Sequence, residues 1–351
     1  MRHDRADLLA RYDFEPDEFQ VRAMDALDDG SHVIVAAPTG SGKTVVAEYG
    51  VEVMLRTDRR AFYTAPIKAL SNQKYRDFVA VHGDERVGLL TGDTSINGDA
   101  PIVVMTTEVL RNMIYGGRDL DELGLVVLDE VHFLQDTYRG PVWEEVIIHL
   151  PQHVQLVCLS ATVSNADELA DWIETVRGPT VPIVETTRPV QLDNMYLVAD
   201  RTNDRLRMLP TIVDGRPNGD AVRLDASAVR FRRDRRRDRA PRGSGMRQLA
   251  TPTRIETVER LLDLDLVPAI YFIFSRNQCD EAARSCVDAG MQLLDQVEQA
   301  SVRAIAEQRL AGLTPADLDV LGAEQFLRQL EAGVAAHHAG MVPPFKEVVE
   351  Q

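Results

Sequence analysis

The chain has 351 residues, of which 44% are hydrophobic and 27% charged, as in an ordinary globular protein. Its formal net charge of −16 argues against a protein that coats nucleic acid through an overall positive charge. No apolar run is long enough to cross a membrane. The cysteines Cys158, Cys279 and Cys286 lack metal-site spacing and cannot all pair, so we expect reduced thiols in a cytoplasmic protein.

The first half of the chain alternates short apolar segments with amphipathic ones. This rhythm predicts a doubly wound parallel sheet with helices on both faces. The predicted strands are residues 33–36, 60–64, 87–90, 102–106, 125–129 and 155–159. Such sheets bind nucleotides at the carboxyl ends of their strands, so we expect a site in the loops that follow them.

Before the first predicted strand, two residues have side chains that suit a purine base. Phe14 offers a stacking face, and Gln20 offers both a donor and an acceptor for the edge of adenine. The alternative is an amphipathic helix that buries Phe19 and exposes Gln20.

A glycine-rich turn follows the first predicted strand and reads Ala-Pro-Thr-Gly-Ser-Gly-Lys-Thr over residues 37–44. The backbone N–H groups of such a turn and the positive end of the next helix bind phosphates. Lys43 is placed to reach the β- and γ-phosphates, and the Thr44 hydroxyl to ligate Mg²⁺. A lysine is rare in this chain, with four among 39 basic residues, which favours phosphate binding over an empty turn. The predicted nucleotide contacts are Thr39, Gly40, Ser41, Gly42, Lys43 and Thr44.

Two carboxylates, Asp129 and Glu130, follow the apolar segment 125–128. We assign Asp129 to Mg²⁺ and Glu130 to the attacking water. An ordinary strand end would look the same, but a phosphate loop in the same sheet favours the catalytic interpretation. His132 would contact the γ-phosphate side or the turn at residues 160–162, or simply pack.

The alternation breaks over residues 190–252. Residues 196–199 and 205–213 are predicted strands, with Asp214-Gly215 a turn signal. Residues 230–247 hold nine arginines and two aspartates, and would be either a flexible linker or a further contact to a phosphate backbone.

A second α/β pattern begins at Pro252. It predicts a helix to about residue 264, a strand at 269–274 and a helix at 278–289. Residues 291–332 read as helical, 334–336 as a short strand, and a last helix starts at Pro344. We expect a first lobe at 1–189, a linker at 190–252 and a partial second lobe at 253–351.

Ten segments then carry a family pattern in one order along the chain. They include Ala-Pro-Ile-Lys-Ala-Leu-Ser-Asn-Gln-Lys-Tyr over 65–75, Asp-Glu-Val-His over 129–132, Arg-Gly-Pro-Val-Trp-Glu-Glu over 139–145 and His-His-Ala-Gly-Met over 337–341. Together with residues 14–20, 37–49, 88–93, 105–111, 160–162 and 272–276, they resemble superfamily 2 helicases of the DExH type. The resemblance is to the superkiller and exosome-helper branch of RNA helicases, in its actinobacterial form.

The resemblance implies an α/β fold of two RecA-like lobes, the second incomplete here. It implies that ATP and Mg²⁺ bind between the lobes and that single-stranded RNA lies across both lobes. It also implies that the helicase moves along this RNA in the 3′ to 5′ direction. DNA is the alternative substrate, as in a sister branch. Coupling of hydrolysis to movement falls to His132, Ser160 and Thr162. Contact with the nucleic-acid backbone falls to Pro66, Lys68, Gly92, Thr106 and Thr107, whose types suit phosphate contact without base readout.

The chain also departs from the family pattern. It lacks the later strand with a nucleotide-sensing turn, the helix with Gln and paired arginines that reach the γ-phosphate, and the winged-helix and helical-bundle parts. We therefore expect a piece of a longer helicase with an apolar face of its second lobe exposed. The alternative is a non-catalytic fragment that binds ATP or RNA. Protein partners are not indicated.

Overall fold

The structure is a computed structural model that describes residues 5, 9–161, 165–200, 205–224 and 249–350. It has two compact units, residues 1–191 and 192–351. The division into a lobe at 1–189, a linker at 190–252 and a partial lobe at 253–351 stays a prediction. Thr162 and residues 230–247 lie outside the described residues.

The first unit is built on one eight-stranded sheet with the order β4-β3-β5-β2-β6-β7-β1-β8. Its pairs are parallel except for β3 with β4. Each of the six strands predicted in this unit ends within two residues of its expected bounds, which confirms the doubly wound parallel sheet. The strands are β1 (His32–Ala36), β2 (Arg60–Ala65), β3 (Val87–Leu90), β4 (Ser95–Ile96), β5 (Ile102–Thr106), β6 (Leu123–Leu128), β7 (Gln155–Ser160) and β8 (Thr180–Val184).

Helices cover both faces of this sheet, so its central strands are buried along their whole length. Because successive side chains of a strand point to opposite faces, Val33 and Val35 pack in one core and Ile34 in the other. The helices are α1 (Glu18–Asp28), α2 (Thr44–Arg56), α3 (Lys68–His82), α4 (Thr107–Tyr115), α5 (Gly140–His149) and α6 (Ala166–Arg177), with short 3₁₀ turns at Asp84–Arg86 and Val131–Gln135.

The second unit contains a small antiparallel sheet and a group of helices. Strands β9 (Met195–Asp200), β10 (Arg205–Pro210) and β13 (Leu249–Ala250) form the sheet, and β11 (Ile212–Val213) and β12 (Arg216–Pro217) form a hairpin. The predicted turn at Asp214-Gly215 closes that hairpin, with φ of +49° and +72°. The helices are α7 (Arg254–Asp263), α8 (Arg276–Asp288), α9 (Gln296–Leu310), α10 (Pro315–Val320), α11 (Ala323–Glu331) and α12 (Pro343–Val349).

Two of the strand predictions in this unit are wrong. Residues 269–274 and 334–336 form no strand, because no neighbouring strand among the described residues supplies backbone hydrogen-bond partners. Ile270, Phe272 and Phe274 are consequently 83%, 78% and 104% exposed. The exposed apolar face that we expected in the second unit therefore lies on this segment.

Candidate active site

The phosphate loop at residues 37–44 follows β1 and leads directly into α2, as predicted. Gly40 and Gly42 have φ of +84° and +78°, which side chains other than glycine rarely adopt. A Cβ on Gly42 would also lie 2.7 Å from Nε2 of Gln20. The backbone path of the turn therefore depends on these glycines.

Several polar groups in and beside this loop have no partner among the described residues. The Lys43 ammonium forms no ion pair with any described residue, whereas Lys68 and Lys74 each pair with an aspartate. The hydroxyls of Ser41 and Ser160 are buried without a hydrogen-bond partner in the described part of the chain. Buried polar groups normally have partners, so these groups fit an anionic ligand such as a nucleotide phosphate.

Asp129 lies at the end of β6, two strands from β1 in the sheet. Its Oδ2 accepts a hydrogen bond from the hydroxyl of Tyr63 at 2.6 Å, and its Oδ1 accepts one from the backbone N–H of Glu130 at 2.9 Å. Burial and the nearby Asp129 carboxylate raise the pKa of Tyr63 well above its ordinary value, so Tyr63 stays a neutral donor. A carboxylate has further lone pairs, so Asp129 can still ligate a cation.

Glu130 turns the chain sharply after the strand. Its φ of +52° and ψ of +44° place it in the left-handed region, which is uncommon for a residue with a side chain and recurs at functional sites. Oε2 of Glu130 lies 3.3 Å from Nδ1 of His132, although the two do not form a hydrogen bond. Glu130 and His132 thus lie side by side directly after Asp129, while the predicted roles of these three residues stay predictions.

The donor set suits Mg²⁺. Mg²⁺ is held in nucleotide sites by one or two protein ligands together with phosphate oxygens and water. The Thr44 hydroxyl and the Asp129 carboxylate are of the types required, and their role as ligands stays a prediction. Among the described residues, no group of three His, Cys, Asp or Glu side chains could hold a metal ion.

The two predicted adenine contacts differ in their surroundings. Phe14 is half exposed and its ring lies 5.1 Å from that of Tyr12. Gln20 is 1% exposed; its Nε2 donates to the carbonyl of Gly42 and its Oε1 accepts from the backbone N–H of Asp17, both at 2.9 Å. An adenine would have to replace one of these bonds, so the adenine role of Gln20 stays a prediction.

The predicted nucleic-acid contacts follow β2, β3 and β5, which are neighbours in the other half of the sheet. Gly92 and Lys68 are exposed, with Lys68 Nζ 2.6 Å from Asp93 Oδ2, and Thr106 is half-buried. The side chain of Thr107 is buried and donates to the carbonyl of Ala65, and Pro66 is buried too. These last two residues therefore present backbone rather than side-chain groups.

Two residues that shape the site were not assigned a role from the sequence. Tyr63 reaches Asp129, and Arg139 reaches Pro66 and Glu108. A tyrosine in a continuously apolar strand was a signal, because a buried hydroxyl needs a partner. No local signal gives the contacts of Arg139, which join residues 31 and 73 positions apart.

The phosphate loop on a doubly wound parallel sheet defines the first unit as a P-loop nucleotide-binding fold. Residues 17–169 match the DEAD/DEAH box helicase family. These residues are thus similar to a DEAD/DEAH box helicase domain, and the predicted resemblance to DExH-type helicases is confirmed.

Helicases that align with nearly the whole chain support the same resemblance. A probable helicase HelY of Mycobacterium tuberculosis is 47% identical over 97% of this chain and 38% of its own length. A chloroplastic DExH-box ATP-dependent RNA helicase, DExH15, of Arabidopsis thaliana is 40% identical over 99% of this chain and 32% of its own. Superkiller complex protein 2 of Homo sapiens is 38% identical over 96% and 27%. The chain thus spans well under half the length of these relatives.

Among solved structures, Mycobacterium smegmatis helicase Lhr bound to ssDNA and AMP-PNP is similar at a TM-score of 0.42 and 27% identity, over 50% of this chain and 26% of that one. This likeness is too low to inform the site. In the described part of the chain, no helix has the length and apolar character needed to cross a membrane.

Proposed function

We propose that this chain is the motor core of an ATP-dependent DExH-type helicase that moves 3′ to 5′ along single-stranded RNA in the cytoplasm. The observation that supports it best is the Lys43 ammonium at the start of α2, which pairs with no described residue. The loop that carries Lys43 and the segment with Asp129 and Glu130 follow strands of the same parallel sheet. Three free thiols support a reducing compartment. The choice of RNA is supported by relatives whose names describe RNA helicases.

In this proposal the loop at 37–44 and Lys43 bind the β- and γ-phosphates, and Phe14 and Gln20 contact adenine. Thr44 and Asp129 would hold Mg²⁺, which when bound neutralises charge on the phosphates. Glu130 orients the attacking water and accepts its proton. Coupling to the nucleic acid involves His132, Ser160 and Thr162, and backbone contacts involve Pro66, Lys68, Gly92, Thr106 and Thr107.

ATP hydrolysis by the purified chain, with and without a single-stranded U20 RNA, tests the proposal. We expect RNA to stimulate turnover and Glu130→Gln to lower it by at least about a hundredfold, the size of a lost general base. Glu144→Gln, which neutralises an exposed carboxylate in α5, is the matched control and should keep wild-type turnover. Binding of a fluorescent ADP analogue should be unchanged in both variants.

Two other results would point elsewhere. Nucleotide binding without turnover would favour a non-catalytic fragment that binds ATP or RNA. Stimulation by single-stranded DNA that equals or exceeds stimulation by RNA would favour a DNA helicase of a sister branch.

A further inference from the structure

Arg139 lies in the tight turn that connects the Asp129–His132 segment to α5. The Oδ1 atom of Asp136 accepts hydrogen bonds from the backbone N–H groups of Tyr138 and Arg139, at 2.9 and 2.8 Å. A Cβ on Gly140 would collide with the carbonyl of Leu134, so the chain passes very close to itself here. The backbone around Arg139 is therefore held in a defined conformation.

The guanidinium of Arg139 packs against two parallel aromatic rings. Its central carbon lies 5.3 Å from the centre of the Phe133 ring and 5.7 Å from that of Trp143, and these rings are 5.6 Å apart with an angle of 14°. Phe133 follows His132 directly, and Trp143 is buried in α5. This packing fixes the direction in which the planar guanidinium presents its N–H groups.

Those N–H groups join two loops of the predicted nucleic-acid surface. One nitrogen, Nη2, donates to the carbonyl of Pro66 after β2 and to Oε1 of Glu108, 2.7 Å away, in the first turn of α4 after β5. β5, β2 and β6 are consecutive in the sheet. Arg139 thus connects the loop after β6, which carries the site carboxylates, to the loop after β2 and to the start of α4 after β5.

We propose that Arg139 is a positioning residue that sets the spacing of the Pro66–Lys68 and Thr106–Glu108 loops, and so the affinity of the protein for a single-stranded nucleic-acid backbone. The inference rests on the proposed function, because it takes these loops as the nucleic-acid surface. The ion pair with Glu108 is only half-buried and contributes little to stability by itself, so we expect its effect to be on geometry.

A direct phosphate contact is the competing role for Arg139, whose side chain is 32% exposed. The two roles differ in salt dependence. Each phosphate contact to a single strand contributes about −0.7 to the slope of log affinity against log salt. Loss of a positioning residue lowers affinity without changing that slope.

The test compares Arg139→Met, Glu108→Gln and their double variant with wild type, in the full chain. Fluorescence anisotropy with labelled U20 RNA over a series of KCl concentrations gives affinity and slope. We expect about tenfold weaker binding in each single variant, no further loss in the double variant and an unchanged slope. Arg118→Met removes the same charge from an ion pair with Asp99 and should bind as wild type.

Hydrogen–deuterium exchange of residues 66–71 and 106–110 provides a readout that needs no RNA. Both segments should exchange faster in Arg139→Met and at the wild-type rate in Arg118→Met. Unchanged exchange together with wild-type affinity would overturn the inference, as would a slope reduced by about 0.7. Wild-type protein that binds no RNA would instead overturn the proposed substrate, while faster exchange in Arg139→Met would still support the positioning role.

Discussion

Tyr63 shows at the scale of one residue how a buried side chain holds a charged group at the edge of the sheet. Its ring packs edge-on against Phe78, with centroids 5.6 Å apart, and its hydroxyl reaches Asp129. A hydrogen bond to a charged group contributes about 1.5–3 kcal/mol, more than one between neutral groups. Tyr63 therefore contributes both to stability and to the orientation of the Asp129 carboxylate.

Tyr63→Phe keeps the ring and removes that hydrogen bond. We expect the free energy of unfolding, measured by urea denaturation, to fall by about 1.5–3 kcal/mol. More Mg²⁺ should also be needed for half-maximal binding of a fluorescent ADP analogue, because the carboxylate is less well oriented. Tyr115→Phe, at an exposed tyrosine, is the control. Wild-type stability in Tyr63→Phe would show that water replaces the lost donor.

His32 predicts a pH dependence of stability. Its Nδ1 accepts from the backbone N–H of Leu156 at 3.0 Å, so Nε2 carries the proton and donates to the carbonyl of Arg177 at 3.2 Å. Burial lowers the pKa of His32 below 6.5, so the unfolded chain binds the proton more readily than the folded one. The stability due to neutral His32 is complete above about pH 6.5 and is lost as the pH falls through the folded pKa.

His32→Asn keeps an acceptor near Nδ1 and removes the titration. We expect the loss of unfolding free energy between pH 6.5 and 5 to be smaller in this variant than in wild type. His153→Gln, at an exposed histidine, should follow the wild-type curve. His82, whose pKa is also lowered by burial, should leave some pH dependence in every variant. Identical curves for His32→Asn and wild type would contradict the assignment.

At the scale of elements, α1 and the phosphate loop share one side chain. Gln20 caps the start of α1 through Asp17 and holds the carbonyl of Gly42 in the loop. The amphipathic-helix alternative was right that Phe19 is buried but wrong that Gln20 is exposed. The conformation of the loop therefore depends on the position of this helix.

Gln20→Ala removes both bonds. We expect it to lower the free energy of unfolding by about 1–3 kcal/mol, because the buried loop carbonyl loses its donor. Binding of fluorescent ADP and GDP analogues should weaken by the same factor if the loop is disturbed. A loss confined to ADP would show that adenine takes over the amide in the complex. Gln152→Ala, at an exposed glutamine, is the control.

Six of the eight strands of the first unit were readable from sequence because strands buried on both faces form continuous apolar runs. The short, exposed β4 and the partly buried β8 were not predicted. The phosphate loop and the Asp129–His132 segment were equally readable, since their chemistry lies in consecutive residues. The left-handed backbone of Glu130 and the contacts of Tyr63 and Arg139 were not, because they depend on distant parts of the chain. The segment 269–274 was mispredicted because its apolar pattern describes a strand, whereas a strand forms only with a partner.

At the scale of the whole molecule, the two units differ in how they bury apolar surface. The sheet of the first unit has a large core on each face. Among its described residues, the second unit has one smaller cluster, centred on Phe326 and Phe345, whose rings stack 4.4 Å apart. The exposed side chains of residues 270–274 lie outside that cluster, and a patch of this kind promotes association.

Phe272→Ser combined with Phe274→Ser should therefore make the chain less self-associating. We expect less binding of the dye ANS and a lower apparent mass at high protein concentration, measured by light scattering. Val320→Ser, at another exposed apolar residue, serves as the control. Unchanged dye binding and apparent mass in the double variant would show that this segment does not cause self-association.

The order of the strands has a mechanical consequence. In the proposed function, the loops after β1, β6 and β7 bind the nucleotide and the loops after β2, β3 and β5 bind the nucleic acid. All six loops are nevertheless connected to strands of one hydrogen-bonded sheet. A sheet packed on both faces hardly stretches or compresses, so the distance between the two groups of loops stays constant. In the proposed helicase function, movement along the nucleic acid would then have to come from a part of the protein outside this sheet.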